Sequence, residues 1–441
     1  MLTGRLHALA CRIDDWQWLV LIVAAPLFLF IRPALSPVLL LIPLLWGAAW
    51  IARRQPVPIT PLNGTLLLLA FMLLVSLYAT YDLAASLPKV SGMVLAFGVF
   101  FQVVRLSQSR RGWWGSLAFF FACGLGIVAL SVLDTQWASK VGGLAVLTSR
   151  LAPHVLSLPG AEQGLNPNEL AGTLLWILPL SASLAGFVFL HTHAFWGRLG
   201  WHKLGFSLLL ALNSVILLLA IVPLQSRSAY AGLAVAGVML AASAWMVSRR
   251  AIVIAAVAII ALLIVSIFAQ GSGTLNVVDL AGSSGVAADS TQGRLEIWSR
   301  ALYAIQDFPF TGMGLNTFRT VAHLLYPLFI IPPGLDIAHA HNEFLQAALD
   351  LGLPGLVAFL ALYLTTFWML HELWESPPSM GLERALWRTI ILGLTGGLLA
   401  HAVFGLTDAI AFGARPGVLF WMLLALITGL FLQVQRDQVR A

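Results

Sequence analysis

Apolar runs of membrane-spanning length recur from one end of the chain to the other, separated by short polar links. A span needs about 20 apolar residues. Runs near 16–31, 35–52, 62–80, 86–105, 114–133, 168–190, 205–224, 229–248, 251–270, 344–370, 386–407 and 413–434 predict twelve transmembrane helices, the first of them short. Polar positions collect in two longer segments, about 134–167 and 271–343. The pattern predicts an all-α polytopic membrane protein: nine spans over 1–270, a large loop over 271–343, and three spans with a tail over 344–441. Inside that loop, the glycines and serines of 271–274 and 282–285 read as linker. Ser290-Thr291-Gln292 then supplies a helix start, and Leu295, Trp298, Leu302 and Ile305 recur at helical spacing. That spacing predicts an amphipathic helix lying on the membrane. Pro309 and the turn Gly312-Met313-Gly314 end it.

Composition agrees with this picture. Of 441 residues 60% are hydrophobic and 10% charged, whereas soluble domains run at about 25% charged. The net charge of +6 does not point to nucleic acid, because the lysines and arginines fall in short clusters between apolar runs. With the N-terminus in the cytoplasm and spans alternating, fifteen basic residues fall inside and nine outside. The positive-inside rule therefore predicts both termini in the cytoplasm. Cys11 and Cys123 lie far apart and form neither a disulfide framework nor a metal pattern. No small-residue cleavage site follows the first apolar run, which reads as a retained span.

This orientation puts both long polar segments outside, together with an island of ionisable groups, His339-Ala340-His341-Asn342-Glu343. Ionisable groups at a membrane boundary mark function by default. Arg227 stands in a short outer hairpin, where it binds a phosphate or snorkels. Arg294 stands near the start of the surface helix, where it holds an anion or pairs with a lipid phosphate or Glu296. Asn166-Pro167-Asn168 opens the sixth span and equally suits an ordinary helix start. Arg415, in an outer turn between Gly413 and Pro416, is a further candidate. His339 and His341 are two residues apart, which is not the helical spacing of a zinc pair, and the other outer histidines, His154 and His323, complete no metal pattern; no metal and no cofactor are expected. An imidazole, titrating ordinarily at about pH 6.5, suits general-base work instead. The inner-loop histidines, His191, His193, His202 and His371, read as interfacial anchors. Two arginines, one general base and a lipid-facing helix suit a sugar carried on a polyisoprenyl diphosphate, with the arginines neutralising the departing diphosphate.

The run His341-Asn342, nine residues, Gly352-Leu353-Pro354-Gly355 resembles the His-Asn-x9-Gly-x-x-Gly pattern of the bacterial O-antigen ligase and polymerase superfamily. Ser226-Arg227-Ser228, the Asn166-Pro167-Asn168 helix start, and Gly293-Arg294 with Trp298 followed by Pro309, Gly312 and Gly314 are similar to its other recurring elements. The resemblance covers roughly 160–410. It implies a GT-C-like, metal-independent glycosyltransferase of the bacterial inner membrane with a periplasmic site. The implied donor is an undecaprenyl-diphosphate-linked glycan and the implied acceptor lipid A–core. By the same resemblance His341 is the general base, with His339 as the alternative, and Arg227 and Arg294 hold the diphosphate, with Asn342 and Asn168 beside the substrate. Attack opposite the diphosphate inverts the anomeric carbon. Leu356 stands where protein O-oligosaccharyltransferases of the superfamily tend to have Thr, which disfavours a protein acceptor. One dominant outer loop, where the polymerases often have two, favours the ligase. A lipid-linked glycan transporter is the rival from another class; it would place ionisable groups near the midplane, where His401 is the one deep candidate.

Overall fold

The structure, a computed structural model, describes residues 2–135, 164–191, 201–245, 291–332, 334–377 and 381–440, with single positions 137 and 148. The expected span at 251–270, the linker glycines, Ser290, His154 and His193 lie outside the described residues. In order the helices are α1 (Leu2–Leu29), a 3-10 segment (Pro33–Leu40) running into α2 (Leu41–Arg53), α3 (Asn63–Ala79), α4 (Leu83–Leu106) and α5 (Arg110–Asp134). There follow α6 (Pro167–Leu175), α7 (Leu178–Leu190), α8 (Trp201–Leu224), α9 (Arg227–Trp245), α10 (Thr291–Asp307) and α11 (Thr317–Leu325). The chain closes with α12 (Glu343–Glu375), α13 (Leu382–Phe404) and α14 (Val418–Arg440). Among the described residues no strand forms, only an isolated bridge between Thr135 and Leu165.

Among the described residues, 6 helices are long and apolar enough to cross a membrane, or 7 if the bent pair α6–α7 is one span. Three further expected spans coincide with shorter apolar helices, Asn63–Ala79, Leu208–Leu224 and Arg227–Ser243. The first expected run lies largely within α1, whose length also carries Arg5, Arg12, Asp14 and Asp15. The chain is thus an all-α, multi-pass membrane protein. Between α6 and α7 the axis turns by 44°. Pro179, second residue of α7, accounts for the break, since it has no N–H to donate to the preceding turn.

The chain forms two compact units that cut across its order. One takes the described residues of Met1–Ser116, Asp279–Thr366 and Ala411–Ala441, the other those of Leu117–Val278 and Phe367–Ile410. In the first unit α4 is the central column, buried along most of its length. Ser91 Oγ donates to the Phe28 carbonyl of α1 at 2.9 Å, and α14 packs Trp421 edge-on against Phe97 at 5.4 Å between ring centroids. The loop segment 312–317 sits at the junction of α3 and α4. There Ser86 Oγ donates to the Leu315 carbonyl (2.6 Å), Leu315 N–H to Ser76 Oγ (2.8 Å) and Asn316 Nδ2 to the Ala85 carbonyl (3.0 Å).

α10 packs Ile297, Ala301 and Ala304 into a core built with Phe318, Val321 and Ala322 of α11, with Ile331, Ile337 and Leu349 closing it. The expected apolar stripe divides. Leu295 and Leu302 point outward, more than half exposed at 56% and 51%, while Ile305 turns into the core. Tyr326 donates its O–H to Asp307 Oδ2 at 2.7 Å; burial, then that carboxylate, push the phenol upward in pKa.

In the second unit α6 is buried along nearly its whole length, and Asn213 Nδ2 of α8 donates to Ser181 Oγ of α7 at 2.7 Å. His401 of α13 is fully buried with its ring 4.4 Å from that of Trp176. Such packing is that of a core histidine.

Candidate functional site

The histidine island is a turn whose backbone is held at almost every position. Asn342 caps α12, its Oδ1 accepting N–H bonds from Phe344 (3.0 Å) and Leu345 (2.9 Å). Gln346, one turn into the helix, reaches back so that its Oε1 accepts the Ala340 N–H at 2.7 Å. Its own amide donates to Asp350 Oδ1 at 2.9 Å, and both side chains are buried. Trp298 Nε1 of α10 donates to the His341 carbonyl at 3.3 Å. His341 itself adopts φ 47°, the left-handed region. A non-glycine residue there costs on the order of 1–3 kcal/mol, and such outliers gather at functional sites. Its N–H donates to His339 Nδ1 at 3.2 Å, and the two rings lie 4.5 Å apart between centroids at 65°. In neutral His339 the proton therefore sits on Nε2. His339 thus helps hold the turn, while His341 presents a ring at a turn that other groups fix.

Further along α12 the backbone is equally specified. α12 is interrupted at Gly352, with φ 68° and ψ 179°, so that the Leu353 N–H donates to the Pro309 carbonyl at 2.7 Å. The Met313 N–H donates to the Leu349 carbonyl at 2.7 Å, and a Cβ at Gly352 would stand 2.5 Å from the Phe310 carbonyl oxygen. Glycine is required there both for the dihedral and for the approach.

Arg294 lies at the N-terminal end of α10, half-buried, in the unit that holds the histidines. Glu296, which the sequence offers as a partner for Arg294, is otherwise engaged. Its carboxylate accepts the N–H groups of Phe329 (2.6 Å), Ile330 (3.0 Å) and Ile331 (3.2 Å) and lies 3.8 Å from Arg300. Arg415 belongs to the same unit, where its Nε donates to the Leu29 carbonyl at 3.0 Å and its guanidinium lies 4.6 Å from the centre of the Phe30 ring. That gives it the task of closing the end of α1.

Arg227 and Asn168 belong to the second unit. Arg227 is the exposed first residue of α9, after a two-residue link in which Gln225 has φ 50°. Ser226 Oγ accepts the Ala229 N–H at 3.4 Å, Tyr230 Oη donates to the Val222 carbonyl at 2.7 Å, and the Ser228 and Thr407 hydroxyls meet at 2.9 Å. The charge of an arginine at a helix N-terminus opposes the dipole, which favours anions. Asn168 is buried in the first turn of α6, and its N–H donates to the capping Asn166 Oδ1 at 2.8 Å, the role of an ordinary helix start. The structure thus brings His339, His341, Asn342, Arg294 and Arg415 into one unit, and places Arg227 and Asn168 in the other. Trp298, read in the sequence as part of an apolar stripe, bonds the turn instead, and Gln346 and Asp350 support it without having been candidate site residues. The four-residue spacing from Gln346 to Asp350 was the available signal.

These features define a multi-pass helical membrane protein with a preorganised histidine turn at the head of one span. Residues 212–360, about a third of the chain, match the family model described as O-Antigen ligase. That segment carries Arg227, Arg294, His339, His341, Asn342 and the Gly352–Gly355 run, and the match supports the resemblance to the O-antigen ligase and polymerase superfamily. No curated protein sequence matches the chain.

Proposed function

We propose that this protein is an O-antigen ligase that transfers a glycan from undecaprenyl diphosphate to lipid A–core at the periplasmic face of the bacterial inner membrane. The observation that supports this reading most is the concurrence of the family match with a strained, multiply held His341. In the proposed step an acceptor hydroxyl attacks the anomeric carbon from the side opposite the diphosphate. The new glycosidic C–O bond forms as the bond from that carbon to the diphosphate oxygen breaks, with inversion. The hydroxyl proton passes to His341, and the electron pair leaves on the diphosphate. Arg294 is proposed to stabilise that charge from the start of α10, and Arg227 is proposed for the same task from the start of α9, each as a bidentate phosphate ligand. In this scheme the arginines supply the neutralisation that a divalent metal would otherwise give. Asn342 holds the turn through its cap, and His339 acts behind His341 as a positioning residue.

Chain extension by a polymerase of the same superfamily uses the same chemistry with a glycan as acceptor. The two are separated by incubating purified protein with undecaprenyl-diphosphate-linked glycan, with and without lipid A–core, in chelator. A ligase gives glycosylated lipid A–core and leaves donor length unchanged. Longer donor glycans would replace this reading with the polymerase, and no transfer to either acceptor would remove both.

A further inference from the structure

Three helices of the first unit finish at one place. α2 ends at Arg53, α4 carries Arg105 in its last turn, and α14 carries Arg436 near its end. They surround an open cavity of about 480 Å³ walled by these arginines and by the amides of Gln55, Gln108 and Gln435. No carboxylate is among its lining residues. Behind the wall, buried Asp14 pairs with both Arg53 and Arg105, and exposed Asp15 lies 4.0 Å from Arg53. Arg436 donates to the carbonyls of Gln108 and Leu432. Helix C-termini attract cations, which accounts for Arg53 and Arg105 singly. It does not account for a cavity of this size walled by three guanidiniums, three amides and no acid.

The location narrows the ligand. Candidate spans end here, so the cavity lies at headgroup depth. Ile59 and Val439, on its lip, are 77% and 88% exposed, an apolar border of the kind that suits acyl chains. It also lies at the far end of α4 from the histidine turn. The loop touches Ala85 and Ser86, and Arg105 is about 30 Å further along the helix. Basic pockets between transmembrane helices recognise anionic headgroups, and guanidinium forks fit phosphate.

We infer that this cavity binds the phosphate headgroup of an anionic phospholipid at the membrane face opposite the histidine turn. The inference does not depend on the glycosyl-transfer reading. Full-length protein in detergent, titrated with phosphatidylglycerol or phosphatidylethanolamine and read by native mass spectrometry, tests it. Phosphatidylglycerol is expected to be retained over phosphatidylethanolamine. Arg436→Gln is expected to weaken that retention about five- to tenfold, and Arg12→Gln, at an exposed arginine outside the cavity, to leave it unchanged. Should Arg436→Gln fail to fold, Gln435→Glu, which puts a carboxylate into the cavity, carries the same expectation. Equal retention of the two lipids, or equal loss in Arg12→Gln and Arg436→Gln, would overturn the site. Binding of inorganic phosphate without any lipid preference would overturn the lipid assignment.

Discussion

The two ends of the first unit use polar side chains in opposite ways. At the histidine end they are spent on backbone. Asn342 caps α12, Gln346 holds Ala340, Trp298 grips His341, and Glu296 gathers three successive N–H groups. At the arginine end charges meet charges, with Asp14 between Arg53 and Arg105. The first arrangement fixes a loop into one conformation, including a left-handed histidine, which is what the proposed reaction would need from its base. The second neutralises helix ends and leaves a cationic cavity, which is what a headgroup needs. On the proposed readings, polar side chains spent on backbone serve chemistry at one end, and paired charges serve binding at the other.

Four substitutions would break or sharpen this contrast, in descending order of expected effect. Asp14→Ala leaves Arg105 buried without its carboxylate and is expected to destabilise the protein by about 3 kcal/mol. Thermal unfolding in detergent should show it, while the histidine turn of the surviving folded fraction keeps its specific activity. Gly352→Ala forces a Cβ against the Phe310 carbonyl at positive φ. It should cost about 1–3 kcal/mol, read as a lower melting temperature, because the packing of α12 on the loop at 309–313 must shift. Asn342→Ala removes a cap worth about 1 kcal/mol. It is expected to reduce transfer more than its modest stability loss implies, seen as a fall in kcat at unchanged melting temperature within a few degrees. Arg436→Gln should change neither transfer rate nor lipid-free melting temperature; an effect on transfer would show that the two ends are coupled.

Much of the frame was legible because apolar runs have a length scale. The runs near 86–105, 114–133 and 344–370 sit inside α4, α5 and α12, and the run near 386–407 overlaps α13 up to its end at Phe404. The break between α6 and α7 was written at Pro179 but is invisible to a window that averages hydrophobicity. The buried face of α10 escaped because Ala301 and Ala304 make up much of it beside Ile297. Small residues bury well yet weigh little in an apolar pattern, and their partners come from α11, nine residues that no long period reveals. His339, His341 and Arg294 stood out as ionisable groups in an apolar chain. Arg415 stood out for the same reason, yet its contacts with Leu29 and Phe30 join opposite ends of the sequence, and no local pattern encodes such a pairing. Asn342 was legible as polar, but its use as a helix cap required knowing where α12 begins.

The most direct test of the account is in vitro transfer from undecaprenyl-diphosphate-linked glycan to lipid A–core by wild type and His341→Asn. Asparagine tolerates the left-handed backbone at this position, so the turn is kept while the base is lost. The account predicts a fall of about 10²–10⁴-fold in transfer with the melting temperature unchanged. Transfer at the wild-type rate by a folded His341→Asn protein would contradict it.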